Sequence, residues 1–261
     1  MAAPPNEVVL ERLKQVFRTA IPSGGDIARR AVTGALRPSN GDVEWIKANF
    51  SKLVESVQLD AYQEYLAAER SAGAKAIAEV MLPLVGANAT AEQAIEVMGQ
   101  YFSALDRFFL GVGQGRKPRA GKAFELLIRE LFGRLGYPFA SQPIINGQPD
   151  FVLPSLEHFI RHAPDCIIFT VKRTLRERWR QIVTEGTRGL GFFLATIDED
   201  VSARDLPEML RSRITLVVPE RLKHMRSDYE QAPNVVSFEY FFQFHLDPSM
   251  ARWKQSGALG R

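Results

Sequence analysis

Three apolar runs separated by helix-length polar stretches constrain this chain more than any other feature. They are Cys166-Ile167-Ile168-Phe169-Thr170-Val171, Phe192-Phe193-Leu194-Ala195-Thr196-Ile197 and Ile214-Thr215-Leu216-Val217-Val218, and each reads as a buried strand. Residues 174–187 and 202–211, which lie between them, carry helical patterns. A shorter strand-like run, Phe151-Val152-Leu153, precedes them and stops at Pro154-Ser155. Alternation of this kind implies an α/β fold with a central mixed or parallel sheet flanked by helices. Residues 7–110 read differently: helical stretches over 43–57, 74–84 and 91–109 are separated by turn signals. The texture changes at Gly111-Val112-Gly113-Gln114-Gly115. A basic stretch, expected to be a loop, follows it, and then a helix over 121–136 with Phe124, Leu127, Ile128, Leu131 and Phe132 on one face. The expected organisation is a helical N-terminal region, 1–110, and an α/β core, 111–261.

Polar residues at the strand ends suggest the chemistry. Asp150 follows Pro149 at the start of the short strand, and Lys172 stands 22 residues on, at the end of the next. Glu185 is 13 residues beyond Lys172, on the helix that leaves that strand. Glu125 lies on the preceding helix as a candidate fourth acidic residue. Metal-assisted phosphodiester cleavage needs carboxylates that hold magnesium with water or substrate completing the octahedron. It also benefits from a lysine that adds positive charge where negative charge develops. Asp150 and Glu185 are the candidate magnesium ligands. Asp165 also follows a proline, but seven extended residues separate it from Lys172, roughly 23 Å, so it is set aside. Thr170 occupies the place two before the lysine where a second carboxylate would be usual, and it is no strong magnesium ligand.

The charge pattern fits a nucleic-acid groove. The net charge is only +3, yet Arg116, Lys117, Arg119 and Lys122 form one basic cluster, and Lys172, Arg173, Arg176, Arg178 and Arg180 form another. Dense patches on a near-neutral body suit a specific phosphate-lined site better than non-specific coating. One cysteine, Cys166, excludes an internal disulfide and a thiolate cluster. No apolar run approaches the ~20 residues that cross a bilayer, and the N-terminus lacks the shape of a secretion signal. A soluble cytoplasmic protein is expected. The glycines at 111–115 do not make a nucleotide loop, because no strand precedes them and Ala123 stands where a magnesium-binding hydroxyl is needed. His158 and His162 share a helix face but lack a third zinc ligand.

Three blocks resemble a known family: Arg116-Lys117-Pro118-Arg119-Ala120-Gly121-Lys122-Ala123-Phe124-Glu125, Gln148-Pro149-Asp150-Phe151-Val152-Leu153-Pro154-Ser155, and Lys172-Arg173-Thr174-Leu175-Arg176-Glu177-Arg178-Trp179-Arg180-Gln181 through Glu185. Together they are similar to the PD-(D/E)XK type II restriction endonucleases of the CC/GG-reading group, the EcoRII catalytic-domain type. The resemblance covers roughly residues 110–220. It implies the restriction-endonuclease fold and an active site of Asp150, Lys172 and Glu185 with Glu125, the displaced glutamate accounting for Thr170. It further implies that Arg176, Glu177 and Arg178 read C:G pairs in the major groove and that Gln114 contacts them from the minor groove. Residue chemistry agrees: arginine donates to guanine O6 and N7, and glutamate accepts from cytosine N4. Arg116, Lys117 and Arg119 are candidate DNA contacts, and the helical region is expected to contribute to DNA binding or dimerisation.

The expected activity is magnesium-dependent hydrolysis of one phosphodiester per strand, at a short palindromic duplex site, by a homodimer. By the same resemblance the cut leaves 5′ overhangs, central nucleotides are flipped out, and a DNA methyltransferase is the functional counterpart without being a bound subunit. Trp45, Phe50, Tyr62 and Tyr65 are candidates to stack on a flipped base, and none has an arginine one turn before it. Two other readings stand beside this one. A structure-selective repair or recombination nuclease would need phosphate contacts more than the base-edge donors of 176–178. A non-catalytic DNA-binding regulator would shift DNA without cutting it.

Overall fold

A computed structural model describes residues 3–145, 147–175, 179 and 191–259. They form two compact units, Met1–Ile27 with Asp60–Ala120 and Ala28–Leu59 with Gly121–Arg261. Residues 28–59, which lie within the expected helical region, therefore pack in the same unit as the sheet. No helix among the described residues is long and apolar enough to cross a membrane.

The first five helices are α1 (Asn6–Ala20), α2 (Gly24–Ala35), α3 (Val43–Ala48), α4 (Phe50–Val85) and α5 (Ala91–Gln100), and α6 (Phe102–Gln114) follows. Helix α1 buries Val9, Leu10, Leu13 and Phe17 on one face. That face shares a core with Ala72, Ala76, Val80 and Met81 of α4 and with Ala104 and Phe108 of α6. Asn6 closes the end of the packing, its Oδ1 accepting from Ala104 N at 3.1 Å. An Arg107–Glu7 ion pair lies nearby.

The helix boundaries differ from the sequence expectation in three places. The stretch 43–57 is two helices: Asp42 caps α3 by accepting from Glu44 N and Trp45 N, the chain breaks at Asn49, and α4 then runs 36 residues. The stretch 91–109 is also two helices, broken at the buried Tyr101. The expected basic loop is helical, because α7 (Arg116–Arg134) already begins at Arg116. Pro118 does not prevent this, since proline is tolerated in a first turn whose N–H groups have no partner within the helix.

The second unit is built on a six-stranded sheet in chain order: β1 (Ala140–Ser141), β2 (Phe151–Leu153), β3 (Ile167–Val171), β4 (Gly191–Ala195), β5 (Ile214–Val218) and β6 (Val235–Ser237). The pairs β1–β2 and β2–β3 are antiparallel and the remaining pairs are parallel. The sheet is therefore mixed. Helix α8 (Leu156–His162), capped by Ser155, joins β2 to β3, and α9 (Asp205–Arg211) joins β4 to β5. The chain closes with α10 (Glu220–Met225), α11 (Ser227–Gln231), α12 (Phe238–Phe241), a π-helical turn (Phe242–Leu246) and α13 (Asp247–Ser256).

Strand alternation gives the sheet two apolar faces. Val152, Ile168, Phe192, Leu194, Leu216 and Val218 pack with Leu206, Met209, Leu222 and Tyr229 on one. On the other, Phe151, Phe169 and Phe193 meet aromatic rings from outside the sheet. Phe132 of α7 lies 5.2 Å from Phe169 and 5.8 Å from Phe151, and Phe241 lies 4.7 Å from Phe193. Phe50, from the start of α4, joins this layer at 4.7 Å from Phe242.

Candidate active site

The antiparallel register decides which sheet edge carries the polar groups. Phe151 pairs with Phe169, so Asp150, one residue before β2, lies beside the C-terminal end of β3. Lys172 is the next residue after that end. Its own backbone is fixed, Lys172 N donating to Ala195 O at 2.9 Å. Residues 22 apart in the chain thus meet because one strand starts where its neighbour stops.

Asp150 is buried and accepts two hydrogen bonds on Oδ2: from Val171 N at 2.7 Å and from Lys172 Nζ at 3.2 Å. Its Oδ1 receives none among the described residues. Lys172 is partly exposed, so the pair sits at a boundary with a protected acid and an accessible amine. Thr170, two before the lysine, is fully buried, and its hydroxyl has no hydrogen-bond partner among the described residues.

Glu125, on α7, is also buried. Lys122 Nζ donates to both its oxygens at 2.8 and 2.7 Å, and Arg129 Nη2 and Gln142 Nε2 donate to Oε1 at 3.1 and 2.9 Å. Its negative charge is therefore held by two cations and an amide from its own surroundings.

The expected positions at Glu185, Arg176, Glu177 and Arg178 lie outside the described residues. The residues flanking 176–178 are anchored: Leu175 and Trp179 are buried in the core that contains Ile168. Leu175 N also donates to Asp198 Oδ2 at 2.7 Å. Asp198 sits in the loop after β4, where its N–H bonds Thr196 Oγ1 and its carbonyl accepts from Tyr229 Oη. Its only signal in the sequence is the acidic run Asp198-Glu199-Asp200 after a strand. Asp198→Ala is expected to cost about 1–2 kcal/mol, the scale of a lost cap. Urea denaturation should show a lower midpoint with an unchanged slope, and an unshifted midpoint counts against the anchor.

Gln114 ends α6 and is exposed. Arg116 begins α7, and its Nε and Nη2 bond the buried carboxylate of Glu69 at 2.5–3.1 Å. Tyr65 Oη donates to that same carboxylate. Lys117 and Arg119 lie on α7, and their side chains are outside the described set. Among the aromatic candidates for base stacking, Phe50 is fully buried in the aromatic layer, whereas Trp45, Tyr62 and Tyr65 are half-buried.

Asp165, set aside on distance, lies before the opposite end of β3 and serves packing. It accepts from Arg252 Nε at 2.6 Å and lies 2.9 Å from His158 Nε2. Burial alone would raise its pKa, but the bonds to His158 and Arg252 outweigh this and hold the carboxyl below its ordinary range. Cys166 beside it is buried, and burial pushes its thiol up to about 12. Neither His158 nor His162 joins a metal-sized group, and no cluster of three His, Cys, Asp or Glu occurs among the described residues.

Magnesium keeps several waters and takes one or two carboxylates with substrate phosphate. Asp150, whose Oδ1 has no hydrogen-bond partner among the described residues, fits that demand at a partly exposed edge. Residue 185, outside the described set, is the other candidate ligand.

Comparison with known proteins gives consistent relatives. The family model described as EcoRII C terminal matches residues 88–242. Type II restriction enzyme EcoRII of Escherichia coli is 34% identical over 139 residues, covering 49% of this chain and 34% of that enzyme. Type II restriction enzyme SsoII of Shigella sonnei is 26% identical over 148 residues, covering 52% of this chain and 48% of that enzyme. The matches thus span at most about half of those relatives. Among solved structures, metal-depleted Ecl18kI in complex with uncleaved, modified DNA aligns at a TM-score of 0.82 and 19% identity, over 96% of this chain and 86% of its own. The restriction endonuclease PspGI–substrate DNA complex aligns at 0.59 and 20% identity, over 90% and 94%. At these identities the structural likeness establishes the fold.

Proposed function

Because this chain belongs to the EcoRII C-terminal family, we propose that it is a type II site-specific deoxyribonuclease. It recognises a short palindromic duplex containing CC/GG and hydrolyses one phosphodiester in each strand. The observation that carries this reading is the buried Asp150 carboxylate bonded at 3.2 Å to the accessible Lys172 amine, at the edge of a mixed sheet. The names of the relatives support it, and so do the Ecl18kI and PspGI structures, which are complexes with DNA.

In this reading Asp150 and Glu185 hold magnesium, and the Ecl18kI complex with uncleaved DNA is described as metal-depleted. When bound, the ion lowers the pKa of water and neutralises charge developing on the phosphate. The chain's own residues do the rest. Val171 N–H and Lys172 fix Asp150 in one orientation, so the carboxylate is ready before substrate arrives. The Lys172 amine adds positive charge at the scissile phosphate and orients the attacking water. Arg176, Glu177 and Arg178 read the C:G pairs, Gln114 reads them from the minor groove, and Arg116, Lys117 and Arg119 lie along the backbone. Two copies related by a two-fold axis match the symmetry of the site. The cut falls before the outer C and leaves 5′ overhangs, with the central nucleotides flipped.

Incubation with plasmid DNA and magnesium tests the reading. Discrete fragments are expected, and sequencing their ends gives the site, the cut position and the overhang. Chelation of the metal should stop cutting and leave binding. DNA that is shifted but intact in magnesium would make the protein a binding module, and cutting governed by DNA structure instead of sequence would make it a repair-type nuclease.

A further inference from the structure

Gln142 stands one residue beyond β1, and the register that pairs Ser141 with Phe151 sets it opposite Asp150. It makes two bonds in two directions. Its backbone N–H donates to the Asp150 carbonyl at 2.8 Å, and its side-chain amide donates to Glu125 Oε1 at 2.9 Å. One residue therefore joins the main chain of one buried acid to the carboxylate of another, which sits on a different element.

The backbone at Gln142 is unusual. Its φ is 50°, in the left-handed region that side chains other than glycine rarely occupy. The next residue is Pro143, whose ring also biases the residue before it towards extended conformations. Such a conformation persists only where surrounding contacts over-determine it. Here the contacts are the two bonds just described, and Arg129 supports the same junction by bonding Glu125 Oε1 at 3.1 Å and Ser141 Oγ at 2.6 Å. A glycine or asparagine would meet the backbone demand more easily. What glutamine adds is a side-chain amide that reaches Glu125.

We propose that Gln142 is a positioning residue for the acidic centre, tying the Asp150 main chain to Glu125 on α7 and thereby fixing the aspartate against Lys172. The inference rests on the nuclease reading above. Gln142 does not touch the reacting atoms. It acts through Asp150, whose carboxylate must be placed within a fraction of an ångström for efficient chemistry. Lys122 and Arg129 hold Glu125 from its own helix, and Arg129 also reaches Ser141 of β1; among the described partners of Glu125, Gln142 is the one that also bonds the Asp150 main chain.

Three variants separate positioning from folding, and the exposed side chain of Gln142 allows each without opening the core. Gln142→Gly keeps the backbone N–H, relaxes the left-handed turn and removes the amide. Gln142→Asn suits the turn but is one methylene too short for Glu125. Gln142→Glu keeps the length and replaces a donor with a like charge beside Glu125. The measurements are kcat and KM on a duplex that the parent cuts, affinity for the same duplex with the metal chelated, and Tm.

The expected result is a fall in kcat of about 10–100-fold, as for lost outer-sphere partners of catalytic ligands, largest for Gln142→Glu. KM and the metal-free affinity stay at parental values, and the Tm of Gln142→Gly does not fall in step with its activity. A merely structural role would make activity track Tm and would not split kcat from KM. The proposal is overturned if all three variants keep kcat within about twofold of the parent, or if kcat falls only in proportion to Tm. A parent that cuts nothing overturns the nuclease reading itself. A parent that cuts, with an inactive Lys172→Ala and fully active Gln142 variants, overturns this inference alone.

Discussion

Lys172→Ala is expected to reduce single-turnover cleavage by about 100- to 1,000-fold, the usual cost of removing one aimed donor from a preorganised site. Affinity for the uncut duplex, measured by gel shift without metal, should change little, because one partly exposed amine is a small part of the phosphate contacts. Asp150 retains the bond from Val171 N–H in this variant, so the carboxylate keeps its place and the loss reports on the amine. Lys172→Arg should not restore the rate: the planar guanidinium cannot reproduce a compact ammonium at 3.2 Å from Asp150 Oδ2. A Lys172→Ala protein that nicks DNA at the parental rate would remove the lysine from the site.

Phe132→Ala should lower unfolding stability by about 3–5 kcal/mol, the range for a fully buried phenylalanine. Phe132 has no exposed surface, and six aromatic rings surround it: Phe50, Tyr137, Phe139, Phe151, Phe169 and Phe242. Two of these belong to β2 and β3, the strands that present Asp150 and Lys172. The cavity therefore opens directly beneath the candidate site, and cleavage should weaken even at temperatures where the protein stays folded. Phe132→Leu fills more of the space and should cost less. Urea titration checks both, and a loss below about 1 kcal/mol in the alanine variant would show that the aromatic layer collapses to refill the hole.

What the sequence made legible depended on whether a signal was local. Strands β3 and β5 read clearly because parallel strands are buried on both faces and appear as unbroken apolar runs. The spacing from Asp150 to Lys172 anticipated their meeting because it allows one hairpin-like return with α8 between. Helix ends were harder. The break at Asn49, where the side chain bonds Trp45 O, and the break at the buried Tyr101 both fall within stretches whose flanking residues carry a helical pattern straight across. The basic stretch after Gly115, expected to be a loop, is helical; the place of Pro118 in a first turn is visible only once the helix start is known. Gln142 left no usable signal, and Asp198 only the acidic run it belongs to. Their roles arise from strand register and from loops that meet far apart in the chain, and a single glutamine or aspartate in a turn carries no mark of its distant partner. Glu185 is singled out by its spacing from Lys172 and by resemblance, and 176–178 by resemblance and base-edge chemistry; all four positions lie outside the described residues.

The membership of Ala28–Leu59 in the sheet-bearing unit bears on how far this chain could be shortened. Lys47 grips Asp247 at 3.0 Å, Ser51 bonds Glu239 and the Glu220 backbone, and Glu55 pairs with Arg221. A truncation that begins at Gly121 would strip those anchors and leave a ring-sized void where Phe50 had stood. A shortened version must therefore retain this early segment, since the layer beneath the candidate site draws on residues both before and after 60–120.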